Sequence, residues 1–506
     1  MSGQREIEIS EHESQAAHDI EPPAALIDFM ARDWIDRPAA RAVHSEARRF
    51  EERRKALSRR YPGEYLVVPA GPERMRAGDT NYAFRPASDF VYLVGDGEPG
   101  ALLVLEPRGA EHRAVLFVRA HNRGTKEFFT DRFNGELWVG SHRGVEESRR
   151  FFGVEEARSL ADLAAYLQDV RDARYPVRVV RGVDEAIDGR FDATDGDREL
   201  AEHLSEMRLI KDEYELAELR KACAITKRAF EDAIRAMRNS ANERAIEAAF
   251  WSRARIEGND TGYLTIAGAG AHACTLHWTR NDGELRAGDL LLIDAGAECD
   301  SFYTADITRT LPISGRFTER QRAVYDVVWQ AQQAAIGAVA PGNDFLEPYR
   351  RAMRVLTGAL IDWGILTGSV DEVLDKQRQF QKRYTLHGVS HMLGIDVHDC
   401  SLARSSEYRY GKLREGMVLT VEPGLYFQPD DATVPEELRG IGVRIEDDVA
   451  VTAAGCEVLS RDIPSRARDV ERWIAGALDS YTGMTEVPGA AGGGAVGGPP
   501  ARSASS

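Results

Sequence analysis

Two apolar runs constrain this chain more than any other feature, because each carries a carboxylate to the end of a buried strand. Leu290-Leu291-Leu292-Ile293 leads into Asp294-Ala295-Gly296, and Met417-Val418-Leu419-Thr420-Val421 leads into Glu422-Pro423-Gly424. Short apolar runs bounded by turn residues read as strands buried on both faces. A charge at the end of such a strand is costly unless something pairs with it. An aspartate before glycine can also simply cap a turn, so neither run alone specifies chemistry.

Further acids extend the pattern. Asp306 follows Asp294 by twelve residues, inside the strand-like run Tyr303 to Thr310. A hairpin would set the two carboxylates side by side, where they repel unless a cation lies between them. Gly442-Val443-Arg444-Ile445-Glu446 alternates, with Val443 and Ile445 on one face and Arg444 and Glu446 on the other. Three of the twelve histidines, His387, His391 and His398, fall within twelve residues. Their first spacing suggests a zincin helix. Gly388 stands where that motif needs glutamate, however, and Gly388 and Gly394 disfavour a regular helix. Four acids with one histidine make a hard, oxygen-rich donor set, suited to manganese or cobalt rather than to a thiolate-type zinc site. Four carboxylates neutralise two divalent cations, whereas a single cation would leave excess negative charge. A two-metal centre is therefore expected.

The rest of the chain is consistent with an α+β protein. In the first block, Tyr65 to Val68, Phe90 to Val94, Ala101 to Leu105 and Ala114 to Val118 read as strands, with a helix over Phe50 to Arg60. A boundary near residues 205–212 precedes a long helix whose stripe is Leu216, Leu219, Cys223, Thr226, Phe230, Ala233 and Met237. A second helix is expected over Asn242 to Ile256, and a third after the capping box of Thr318 and Gln321, closed by Pro341-Gly342. A fourth runs from Phe345 to Trp363, and strands cover Phe302 to Leu311, Val418 to Val421 and Val443 to Val451. The net charge of −17 disfavours nucleic acid and anionic membrane as partners. Five scattered cysteines without a CxxC pair, a polar Met1 to Glu13 and no run of 18 apolar residues point to the cytoplasm. Residues 1–45 read as an extension, partly helical around Ala24 to Trp34, and Val487 to Ser506 as a disordered tail.

The motifs also resemble a known family. LIDAG at 292–296, ADITRT at 305–310, HGVSHMLGIDVHD at 387–399, VEPGLY at 421–426 and RGIGVRIEDD at 439–448 resemble aminopeptidase P of the pita-bread metallopeptidases, in order and in approximate separation. RPASDFVYLVG at 85–95 and VLFVR at 115–119 are similar to that family's creatinase-like N-terminal domain. The resemblance implies an extension over 1–45, a mixed α/β creatinase-like domain over 46–205, a pita-bread catalytic domain over 206–465 and a C-terminal segment over 466–506. It implies a hydrolase that removes the first residue from peptides with proline in second position. Asp294 would hold one metal, Asp306 and Glu446 would bridge both, and His391 and Glu422 would complete the coordination. The ions are expected to be two Mn²⁺, with Co²⁺ or Zn²⁺ as alternatives. A hydroxide held between them would attack the scissile carbonyl, with Glu422 as proton shuttle. His277 and His398 would contact the substrate carbonyl, and His387 and Arg444 would line the proline pocket. Asp79 and Trp138 would shape the substrate entrance. A homodimer or homotetramer is implied by the same analogy.

Three departures from that pattern stand out. The spacing of Asp294 and Asp306 is one residue longer than the family's commoner one, so a bulge or longer turn is expected between them. Ala403 replaces a tyrosine that some relatives carry, leaving a wall to be open or rebuilt from Tyr408 or Tyr410. The two chain ends have no counterpart in the core pattern. Among rivals, Gly268-Ala269-Gly270 is too short for a nucleotide loop. A prolidase cleaving Xaa-Pro dipeptides shares the same motifs. A metal-free creatinase-type enzyme or a non-catalytic pita-bread binding protein is disfavoured by the filled ligand set.

Overall fold

The computed structural model describes residues 22–35, 42–78 and 80–479. The chain divides into two compact units, 1–204 and 205–506. The proposed tail from Val487 and the position of Asp79 lie outside the described residues.

In the first unit a five-stranded mixed sheet has the order Glu156–Ser159, Glu111–Val118, Leu102–Arg108, Tyr65–Pro69, Val177–Val179. Its two central pairings are antiparallel and its outer ones parallel. Val67, Leu102, Val104, Val115 and Phe117 project from the sheet onto Tyr166, Leu167 and Val170 of the helix Leu163–Asp172. The expected strand at Phe90 to Val94 is instead the end of a helix, Ser88–Val94. All five of those side chains are buried, so neither a 2-residue nor a 3.6-residue period was visible. Gly95 ends the helix at φ +103, where a Cβ would strike the Phe50 ring.

The first helix wholly within the second unit is Glu213–Asn239, started by a capping box of Asp212 and Glu215. Its predicted stripe is buried from Leu219 to Met237, with Leu216 half-buried at the start. Asn242 caps the helix Glu243–Glu257, which packs along the first. The strands Ile266–Ala269, Leu290–Ala295 and Ile307–Pro312 form an antiparallel sheet with Leu290–Ala295 in the middle. Gly268 pairs with Leu292 there, so the Gly-Ala-Gly segment belongs to a strand and not to a nucleotide loop. A second antiparallel sheet joins Val418–Val421, Asp447–Thr452 and Gly455–Val458, and a short ribbon joins Gly424–Tyr426 to Gly442–Arg444. The helices Glu319–Ile336, with the Thr318–Gln321 capping box, and Glu347–Asp362 pack against each other.

Two strands are shorter than the sequence suggests. Regular pairing begins at Ile307 rather than near Phe302, because residues 299–302 turn tightly and Phe302 takes φ +68. This turn lies in the connection between Asp294 and Asp306. The run from Val443 to Val451 breaks at Ile445-Glu446 as it passes from the ribbon to the second sheet. The segment from His387 to Asp399 contains no helix.

Candidate metal centre

These breaks put acids at strand ends, facing a single cavity. Asp294 lies opposite Thr308 in the first sheet, and Asp306 immediately precedes that partner strand. Thr420 N–H donates to the His391 carbonyl at 2.9 Å, and Glu422 N–H to the Val389 carbonyl at 2.9 Å. The histidine segment therefore runs beside the strand Val418–Val421 and brings His391 next to Glu422. Glu446 N–H donates to the Thr308 carbonyl at 3.1 Å, tying the interrupted strand to the first sheet.

The cavity has a volume of about 470 Å³, and its lining includes Asp294, Asp306, His391, Glu422 and Glu446 together with His277, His387, His398 and Arg444. All nine candidate residues in this unit are thus gathered. Donor atoms of Asp306, His391 and Glu446 lie within 4.8 Å of one another. His391 Nε2 is 3.2 Å from Asp306 Oδ2 and 3.7 Å from Glu422 Oε1. The His391 and His398 rings meet edge to face at 4.3 Å. Trp138 belongs to the first unit, in the short helix Glu136–Val139, where its side chain is exposed and its Nε1–H donates to the Phe129 carbonyl.

Residues that the sequence did not suggest complete the arrangement. The Tyr263 hydroxyl is 2.6 Å from Asp294 Oδ1 and 2.6 Å from Asp306 Oδ1. A phenol has one proton and cannot donate to both carboxylates at once, so this spacing suits a proton or cation shared with the acids. Arg444 donates to Asp294 Oδ2 at 2.5 Å, to the Tyr426 hydroxyl at 3.0 Å and to Thr308 Oγ1 at 3.1 Å. Thr308 in turn donates to Glu446 Oε2 at 2.6 Å. His387 reaches Glu422 through Nδ1 at 3.3 Å and the Tyr426 hydroxyl through Nε2 at 2.7 Å. Tyr263 follows Gly262 in an irregular link between strands, and no periodicity marks it. Neither Tyr408 nor Tyr410 rebuilds the wall at Ala403. Tyr408 accepts the Met392 N–H through its hydroxyl and does not line the cavity, and Tyr410 is exposed.

The electrostatics follow from burial and crowding. Burial and the carboxylates of Asp306, Glu422 and Asp294 push Glu446 well above the usual carboxylate range. Burial raises Asp294 as well, with Arg444 opposing and Asp306 reinforcing the shift. Burial works against a charged Glu422, yet the hydrogen bond from His387 and the charges of His387, His391 and Arg444 hold it low. Burial also works against a charged His391, yet its bond to Asp306 and the field of Glu422 raise it to about 9. Glu446, Asp294 and the His391 imidazole thus hold protons more firmly in the metal-free chain than ordinary groups would. A pocket of oxygen donors with one imidazole fits hard divalent cations, which would replace those protons.

Most of the chain is similar to known proteins. Residues 217–453 match the model of metallopeptidase family M24, and residues 50–177 match the aminopeptidase P N-terminal domain. The chain belongs to metallopeptidase family M24, within its aminopeptidase P group, and is a hydrolase. Xaa-Pro aminopeptidase 1 of Streptomyces coelicolor is 48% identical over 462 residues, spanning 89% of this chain and 92% of that protein. Xaa-Pro aminopeptidase of Escherichia coli is 35% identical over 448 residues, spanning 85% of this chain and 98% of that protein. A solved structure of aminopeptidase P from Escherichia coli with the inhibitor Pro-Leu superposes with a TM-score of 0.77 at 33% identity, covering 86% of this chain and all of the other.

Proposed function

We propose that this chain is a two-metal Xaa-Pro aminopeptidase, removing the first residue of peptides whose second residue is proline. The observation that carries the proposal is the convergence of Asp294, Asp306, His391, Glu422 and Glu446 on one cavity. We assign Asp294, Asp306, His391, Glu422 and Glu446 as the residues that would hold the two ions, of which Asp306 and Glu446 would serve both. Oxygen-rich donors favour Mn²⁺, with Co²⁺ or Zn²⁺ as substitutes. When bound, the two cations supply Lewis acidity that activates water and polarises the scissile carbonyl. Relatives over nearly the whole chain carry the name Xaa-Pro aminopeptidase, which favours this reading over a prolidase.

The chain's own side chains then have distinct tasks. Glu422, held ionised by His387, takes a proton from the attacking water and passes it toward the leaving proline nitrogen. His277 and His398 line the cavity where a substrate carbonyl can be hydrogen-bonded. Arg444 orients Asp294 and the Tyr426 hydroxyl. Leu264, Ile266, Leu276 and Val397 supply the apolar lining that a proline ring requires. Among the described residues no helix is long and apolar enough to cross a membrane, and we place the enzyme in the cytoplasm as a homodimer or homotetramer.

Replacing Glu422 by glutamine tests the shuttle role. The expected variant keeps both metal ions and loses about 10²- to 10⁴-fold in kcat, the usual worth of a general base. Loss of both ions with the change, or unaltered turnover, would contradict the assignment.

A further inference from the structure

The first unit contains a second set of metal-type donors. His121, Glu136 and His142 each offer one donor atom, and these atoms lie within 4.8 Å of one another. His121 Nδ1 is 2.8 Å from Glu136 Oε1, and the Asn122 N–H donates to the same oxygen at 3.2 Å. Asn122 returns the contact, its Oδ1 accepting the Glu136 N–H at 3.2 Å while its amide donates to the Asn134 carbonyl at 2.8 Å. The carboxylate is therefore fixed at both its side chain and its backbone.

Two observations mark the cluster as more than a surface hydrogen bond. The Glu136 side chain is only 2% exposed, yet among the described residues it pairs with no lysine or arginine. The groups that reach this buried carboxylate are the His121 ring and the Asn122 N–H, and a buried carboxylate with two imidazoles beside it is a donor set that a divalent cation fits. The imidazoles are also held in place. Gly144, at φ +70, packs so closely on the His121 ring that a Cβ would approach it to 2.5 Å. The His142 ring stacks on that of His121 at 5.3 Å, and its Nε2 lies 3.0 Å from the Ala120 carbonyl oxygen.

We propose that His121, Glu136 and His142 bind one divalent transition-metal ion, preferably zinc, which ties Ala120–Asn122 to the segment Asn134–Gly144. With metal–donor bonds of about 2.0–2.1 Å, donors of a tetrahedral site lie roughly 3.3 Å apart. The contact between His121 and Glu136 then has to open by only about half an ångström. Both histidines line a cavity of about 680 Å³, from which water would complete the shell. Two imidazoles and one carboxylate suit zinc, cobalt or nickel, whereas manganese prefers oxygen. The two centres therefore sort metals by donor type, and a chain loaded with Mn²⁺ still has room for one zinc.

Full-length protein is stripped of metal, reloaded with excess Mn²⁺ and titrated with Zn²⁺ against a chromophoric chelator. The His121→Ala/His142→Ala double variant is treated identically, so any zinc that displaces manganese elsewhere cancels in the difference. The wild type is expected to take up one more tight equivalent of zinc and to gain thermal stability from it, while both proteins keep their Mn²⁺-dependent activity. Equal zinc uptake by the two proteins overturns the proposal. Glu136→Gln, which preserves the shape of the side chain, guards against a misfolded double variant. At least a tenfold loss of zinc affinity is expected, and an unchanged affinity overturns the site.

Discussion

Arg444 Nη2 and Asp294 Oδ2 stand 2.5 Å apart inside the cavity, the one guanidinium contact to a proposed ligand carboxylate among the described residues. The same guanidinium also holds Tyr426 and Thr308, and a lysine cannot reproduce that fork. Arg444→Lys should lower kcat/KM about 10- to 100-fold, as loss of an outer partner of a ligand typically does. Steady-state kinetics on a proline-containing tripeptide would show it. Unchanged kinetics would mean that Arg444 merely fills space.

Tyr263 bridges Asp294 and Asp306 from a single hydroxyl. Tyr263→Phe keeps the ring and removes that contact. Metal affinity should fall by roughly 10- to 100-fold with little change in thermal stability once metal is removed. A competition titration with a fluorescent chelator measures this, and wild-type affinity would exclude a role in holding the acids.

The metal-free site carries protons that cations must displace. His391 is raised to about 9, and Glu446 and Asp294 are also raised. These groups are therefore protonated to a larger extent in the metal-free chain than ordinary values would give, and metal binding releases protons. Apparent affinity should climb as pH rises from 6 toward 9, by about a decade per unit for each proton released. Calorimetry in buffers of different ionisation enthalpy counts those protons. A pH-independent affinity would contradict the crowded-acid account.

Glu243 is a buried carboxylate that accepts from the backbone of Ala269 and Gly283, from the indole of Trp278 and from His272. It thereby anchors the loop that carries His277. Glu243→Ala strands several buried donors, each costing about 1–3 kcal/mol, so a loss of several kcal/mol is expected in urea denaturation. A change below about 0.5 kcal/mol, the range of ordinary surface substitutions, would show that the loop is held by other contacts.

The acids of the site were legible because burial and charge conflict in the sequence itself. Leu290 to Ile293 and Val418 to Val421 are too apolar to be surface, so the carboxylates after them demanded a partner. The Val443–Glu446 alternation likewise put Arg444 and Glu446 on the cavity side. Three features were not legible, each for a physical reason. Phe90 to Val94 is buried on every side and therefore has no period. Tyr263 comes from an irregular link whose position depends on the surrounding sheets. The Tyr408 hydroxyl accepts the Met392 N–H and builds no cavity wall, a tertiary contact that no local pattern encodes.

The most direct test follows release of the first residue from an Xaa-Pro-Yaa tripeptide by metal-depleted protein, before and after addition of Mn²⁺. Negligible release without metal, restored release with about two bound ions per catalytic site and little cleavage when alanine replaces the proline are the predicted results. Full ion binding at Asp294, Asp306, His391, Glu422 and Glu446 without any release of the first residue would contradict the account.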